Sequence, residues 1–229
     1  EKVKETVLKK EFALVLSGDH STSCGTISGI KMAYPEKKLG VIWIDAHADM
    51  HSPYTTPSGN LHGMPLAAVL NEDNVKNQKN SLDERHIRLW NNFKTIGTSK
   101  PKIMYNDLAF IGLRAMETEE RELIEKNNVK VFTVDKTRKQ GAGQIAADCL
   151  KYLSHCDLIY LSFDVDCMDP SVSEGTGTPV PDGFTVEETN NLISALLKNQ
   201  KVCCLEVVEI NPLLDANNSM AKIAFKIIN

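Results

Sequence analysis

Six short apolar runs, spread along 229 residues, restrict this chain more than any other feature. Residues 12–16, 39–44, 108–113, 129–134, 158–163 and 202–208 are rich in Val, Ile, Leu and Phe and little interrupted by charge. That is the pattern of strands covered on both faces. Amphipathic stretches at 22–34, 118–127, 144–153 and 185–198 lie between them and predict helices, with one more at 217–228. Thr185 followed by Glu188 makes a capping box for the fourth. Alternation of strand and helix predicts an α/β fold of three layers, α/β/α, with a mostly parallel central sheet and right-handed crossovers. A 42 % apolar content over this length suffices for a single domain with one sizeable core.

Residues 71–102 break the pattern. Asn, Lys and Asp crowd a sparse apolar set (Leu82, Ile87, Leu89, Trp90, Phe93), which predicts a polar insertion carrying one short helix. No internal repeat or low-complexity segment is present. With 26 basic and 30 acidic residues and no long run of either sign, neither nucleic acid nor a membrane surface is an expected partner. No stretch approaches the roughly 18 apolar residues of a membrane span. The six cysteines form no CxxC pair, which predicts reduced thiols and a cytoplasmic location. The chain opens on Glu1 and not Met, so an earlier segment, with any targeting signal, is expected.

In parallel sheets, ligands bind beyond the carboxyl ends of the strands. Ser17-Gly18-Asp19-His20-Ser21 follows the first run, and Asp45-Ala46-His47-Ala48-Asp49 the second. Asp164-Val165-Asp166 follows the fifth, and Glu209-Ile210-Asn211-Pro212 the last. Residues two apart in extended chain face one side, so Asp45, His47 and Asp49 converge, as do Asp164 and Asp166. With His20 this gives four carboxylates and two imidazoles. Four clustered carboxylates without cations repel and must take up protons. A divalent metal removes the conflict, and six donors exceed the need of one tetrahedral zinc. They suit two ions. Mixed oxygen and imidazole donors fit manganese, zinc, iron or cobalt, and the oxygen-rich count favours manganese.

These motifs together resemble those of the ureohydrolases: arginase, agmatinase, formiminoglutamase and their relatives. Ser17 to Ser21 is similar to their GGDHS motif, Asp45 to Asp49 to DAHxD, and Ser162 to Pro170 to SxDxDxxDP, continued by Gly175-Thr176-Gly177-Thr178-Pro179. They occur in family order over nearly the whole chain. The resemblance implies His20, Asp45, His47, Asp49, Asp164 and Asp166 as ligands of two Mn2+ ions, with Asp45 and Asp164 bridging. It also implies that Asp49 orients a bridging hydroxide that attacks the guanidinium carbon. Thr55-Thr56-Pro57-Ser58-Gly59-Asn60-Leu61-His62-Gly63 looks like the loop with which arginases hold the substrate α-carboxylate, which agmatine lacks. On that likeness His51, Thr56, Ser58, Asn60 and Thr178 bind substrate, Glu117 and Glu120 take its α-amino group, and His62 shuttles protons. Glu209 pairs with the guanidinium.

The implied reaction is hydrolysis of L-arginine to L-ornithine and urea. Alternatives are an agmatinase or another guanidino or formimino hydrolase, or an inactive relative serving as a binding or regulatory subunit. A zinc deacetylase of the same fold class is disfavoured by the six-donor set. His51 stands where many arginases have Asn, Ala115 where an acid is common, and Glu174 where Pro is usual. Against the family, the chain lacks an N-terminal strand and helix, which an intact protein is expected to carry. A homo-oligomer, of the trimer kind, is implied by analogy.

Overall fold

The computed structural model describes residues 1–229 and contains one six-stranded sheet in the order β1-β6-β5-β2-β3-β4. The strands are β1 (Ala13–Leu16), β2 (Leu39–Ile44), β3 (Leu108–Ile111), β4 (Lys130–Phe132), β5 (Leu158–Asp164) and β6 (Val202–Val208). Every pairing is parallel. β2 and β3 are buried along their whole length, which is why their sequences run apolar without alternation. β1, at the edge, alternates and leaves Leu14 and Leu16 exposed.

Nine α-helices complete the layers: α1 (Lys2–Leu8), α2 (Ser23–Ala33), α3 (Pro65–Leu70), α4 (Glu84–Lys94), α5 (Thr118–Lys126), α6 (Val134–Gln140), α7 (Ala142–Tyr152), α8 (Val186–Leu197) and α9 (Ser219–Ile228). On one face, Ile145 and Cys149 of α7, Leu192 and Leu196 of α8, and Ala224 of α9 pack over Ile42, Leu161 and Leu205 of the sheet. On the other, Val7, Ile27, Leu66 and Leu123 cover Val41, Trp43, Phe110 and Tyr160. None of these helices is long and apolar enough to cross a membrane. The expected capping box starts α8: Glu188 donates its N–H to Thr185 Oγ1 at 3.1 Å, and Thr185 returns its own to Glu188 Oε2 at 2.8 Å.

The strand order places the site. After β2 the chain moves outward to β3 and β4, then returns to the opposite side of β2 for β5 and β6. β2 and β5 therefore flank the topological switch point, where a crevice opens beyond the strand ends. Ile44 pairs with Phe163, so Asp45 and Asp164 leave the sheet side by side.

Several expected boundaries shift. The first strand begins at Ala13, so Phe12 lies outside it. The third ends at Ile111, because Gly112 turns at φ +92° and Leu113 leaves the sheet. Val134 begins α6, capped by Thr133, and does not close the fourth strand. Helices α1, α3 and α6 were not expected from the pattern. The polar stretch 71–102 does carry one α-helix, α4, and it is tied down: Asp73 Oδ1 accepts from Trp90 Nε1 and Lys94 Nζ, each at 2.6 Å. Asn80 Nδ2 donates to the carbonyls of Pro53 at 3.0 Å and Thr56 at 2.7 Å, so the insertion braces the 53–56 loop.

Gly183 packs against the segment that follows Asp166. A Cβ there would lie 2.4 Å from the Met168 carbonyl carbon and 2.5 Å from the Asp169 nitrogen, backbone atoms that have no room to yield. Gly183→Ala is expected to cost about 1–3 kcal/mol, read as a lower denaturant midpoint at unchanged slope.

Candidate metal centre and active site

Each donor is carried to the cluster by a strand end. His20 sits in the 3-10 turn His20–Thr22 just after β1, its ring stacked on Trp43 with centroids 3.9 Å apart and planes within 5°. Its Nε2 lies 2.6 Å from Ser162 Oγ, which aims Nδ1 at the carboxylates. Nδ1 is 3.0 Å from Asp45 Oδ2, 3.0 Å from Asp49 Oδ2 and 3.2 Å from Asp164 Oδ2. On the other side, His47 Nδ1 is 3.0 Å from Asp166 Oδ2 and 3.5 Å from Asp45 Oδ1. Two donor groups result, His20–Asp45–Asp49 and Asp45–His47–Asp166, and they share Asp45 through its two different oxygens.

These atoms fit cations better than they fit one another. A single imidazole N–H cannot serve three carboxylates, and both His20 Nδ1 and Asp45 Oδ2 are buried without a well-formed hydrogen bond. Burial lifts the Asp49 carboxyl to about 6, with Asp45 adding to the rise. Burial, Asp166 and Asp45 push Asp164 well above the usual carboxylate range. The histidines move the other way from what burial dictates. Hydrogen bonds to Asp166 and Asp45 overcome desolvation and hold His47 at about 12. Protons shared among buried acids and imidazoles are a costly substitute for divalent charge. The backbone is shaped to the task as well: Asp49 and Glu209 sit at φ +50° and +65°. Left-handed residues of this kind cost on the order of 1–3 kcal/mol and persist where surrounding structure enforces them.

Above the cluster lies a cavity of about 260 Å³ lined, apart from Pro57 and Gly63, by polar and charged residues. Its wall brings together Asp49, His51, Thr56, Ser58, Asn60, His62, Glu117, Glu120, Thr178 and Glu209, with His47, Asp164 and Asp166 at its floor. His20 and Asp45 lie beneath, both about 1 % exposed. Glu209 Oε1 accepts the His20 N–H at 2.9 Å and stands 3.5 Å from His62 Nδ1. That carboxylate, against partial burial, raises His62 above the ordinary imidazole range.

Glu117 and Glu120 have a local role too. They are the N-cap and third residue of α5, and Glu117 donates its N–H to Glu120 Oε2 at 3.1 Å. Glu120 is also buried and accepts from Met50 N–H at 3.0 Å; burial and Glu117 push its carboxyl up to about 9. His51 bridges this pair to the 55–63 loop, Nε2 at 3.0 Å from Glu117 Oε2 and Nδ1 at 3.0 Å from Thr55 Oγ1. Thr178 Oγ1 donates to Asp166 Oδ2 at 3.3 Å.

Two supports escaped the sequence reading. Arg114 donates to a ring of carbonyls, including Asp166 at 2.9 Å, Val180 at 2.7 Å and Pro181 at 2.9 Å, and so fixes the backbone on either side of Thr178. Glu206, fully buried inside β6, accepts from Ser17 Oγ and Thr22 Oγ1 at 2.9 Å each and from Tyr160 OH at 2.7 Å, anchoring the turn that carries His20. A charged residue in an otherwise apolar strand was the only signal for it.

A parallel sheet with paired His/Asp groups at its switch point, under a cleft lined mainly by polar and charged side chains, is the plan of a metal-dependent hydrolase. The model of the Arginase family matches residues 1–229. The chain is 36 % identical to the arginase of Bacillus subtilis over 228 residues, covering 100 % of this chain and 71 % of that one. It is 37 % identical to the arginase of Bacillus caldovelox, covering 97 % and 69 %. The native structure of the Bacillus caldovelox arginase superposes with a TM-score of 0.86 at 35 % identity, over 99 % of this chain and 70 % of that one. This chain belongs to the arginase family.

Proposed function

We propose that this chain hydrolyses L-arginine to L-ornithine and urea with two manganese ions held by His20, Asp45, His47, Asp49, Asp164 and Asp166. The observation that carries the reading is the pair of donor groups sharing Asp45 beneath a cavity lined mainly by polar and charged residues. Family membership supports the substrate class, and the oxygen-rich donor set supports manganese over softer ions. The chemistry such a pair supplies when bound is acidification of water, giving a nucleophile at neutral pH.

The chain's own residues do the rest. Glu209 offers a carboxylate to the planar fork of guanidinium N–H donors and sets the carbon above the cluster. Asp49 accepts the proton given up in attack and returns it to the leaving nitrogen. His62, one-third exposed beside Glu209, passes protons between the ornithine amine and solvent. The loop from Thr56 to Asn60 takes the α-carboxylate, and Glu117 with Glu120 the α-amino group. A homo-oligomer, a trimer by family analogy, and a cytoplasmic location go with this reading.

The test is urea release by manganese-loaded protein from L-arginine, agmatine and formiminoglutamate in parallel. A strong preference for L-arginine is expected. A large preference for agmatine would assign the cleft to a decarboxylated substrate and remove the role given to Thr56, Ser58 and Asn60.

A further inference from the structure

At the opposite end of the sheet, Asp107, His155 and Cys156 meet at the amino-terminal ends of β3 and β5. His155 Nε2 is 2.9 Å from Asp107 Oδ1. Cys156 Sγ is 3.5 Å from His155 Nε2 and 3.8 Å from Asp107 Oδ1. A tetrahedral zinc with S, N and O bonds of about 2.0–2.3 Å holds its ligand atoms about 3.3–3.6 Å apart. The three observed edges bracket that range, so shifts of a few tenths of an ångström would close them on one ion.

Three further features orient the trio. His155 Nδ1 faces the Tyr152 carbonyl at 3.2 Å, the contact by which a metal-bound histidine commonly fixes its tautomer and presents the other nitrogen. Asp107 uses its second oxygen, Oδ2, to accept Met104 N–H at 2.9 Å, which leaves Oδ1 turned to the trio. Gly40 on β2 makes the seat for the thiol: a Cβ there would lie 3.2 Å from Cys156 Sγ. One proton can join only two of the three atoms, whereas a metal ion joins all three.

We propose that Asp107, His155 and Cys156 form a second cation site, for a soft divalent ion of the Zn2+ class, distinct from the hydrolytic cluster. The Cys156 side chain is buried beside Asp107, while the His155 side chain is 34 % exposed, so the ion enters on the histidine side and keeps an open position there. Binding displaces the thiol proton to solvent and leaves a thiolate–metal bond. The ion clips the 3-10 turn Tyr105–Asp107 to the turn Leu153–His155, which closes the end of α7. Thiolate separates this site from the catalytic one, whose donors are oxygen and imidazole alone.

The experiment titrates metal-free protein with Co2+ and follows thiolate-to-cobalt charge transfer in the near ultraviolet. One thiolate bond per chain is expected. The band should vanish in Cys156→Ser, and affinity at this site should fall about 100-fold or more in His155→Gln, a partly exposed position where packing is little disturbed. Urea release by the manganese-loaded variants should stay at the parent level. No band in the parent protein, or a band that persists in Cys156→Ser, would overturn the proposal. Loss of the hydrolytic reading alone would leave the band unaffected.

Discussion

Glu209→Gln is expected to retain its full manganese content and lose about 10²–10³-fold in kcat/KM. Glu209 is 12 % exposed at the side chain and stands at the cavity wall, where a charged partner is screened little by water. Removing the charge of one member of a buried pair costs about 3–4 kcal/mol, which at about 1.4 kcal/mol per tenfold is about two to three decades of rate. The amide keeps an oxygen to accept the His20 N–H, so the turn carrying His20 should stay in place. The loss should therefore appear in turnover and not in metal stoichiometry. Near-normal activity would show that the guanidinium is held elsewhere.

The second large effect is on stability, and its sign depends on metal. Asp166→Asn removes a donor from the His47 group but keeps an oxygen for the Ala46 N–H, now 3.2 Å from Asp166 Oδ1. With manganese in excess, the variant should be less stable by about 2–3 kcal/mol, since a site filled at 100 times its dissociation constant contributes about that much. In chelator the order should level or reverse. Burial and Asp45 raise the Asp166 carboxyl, so its ionised form is unfavourable there without a cation. Thermal unfolding of both proteins with manganese and with chelator checks this. A variant destabilised equally in both conditions would make Asp166 a structural acid.

How much of this was readable beforehand follows from the range of each interaction. β2, β3, β5 and β6 were legible because burial on both faces leaves a continuous apolar run; the edge strands β1 and β4 kept apolar side chains but are only partly buried. The donors were legible because they end those runs at fixed two-residue spacing. Strand ends were less so. Gly112 leaves the sheet at positive φ, and Val134 joins a helix through the Thr133 cap, choices made by one residue each. Short helices such as α1 and α3 are formed by packing more than by periodicity. Arg114 and Glu206 act through partners 46 to 189 positions away, apart from the nearby Gly112 carbonyl, and no local pattern encodes such contacts. Glu117 and Glu120 were ambiguous between helix cap and site, and the structure gives them both positions.

The central claim is that the tips of β1, β2 and β5 gather anionic oxygen and imidazole to hold a pair of divalent ions. Anomalous diffraction at the manganese edge, from crystals grown with excess Mn2+, addresses it without relying on turnover. Two peaks are predicted, one beside His20 and one beside His47, with Asp45 between them. A single peak, an empty cleft, or peaks lying away from these side chains would contradict the account.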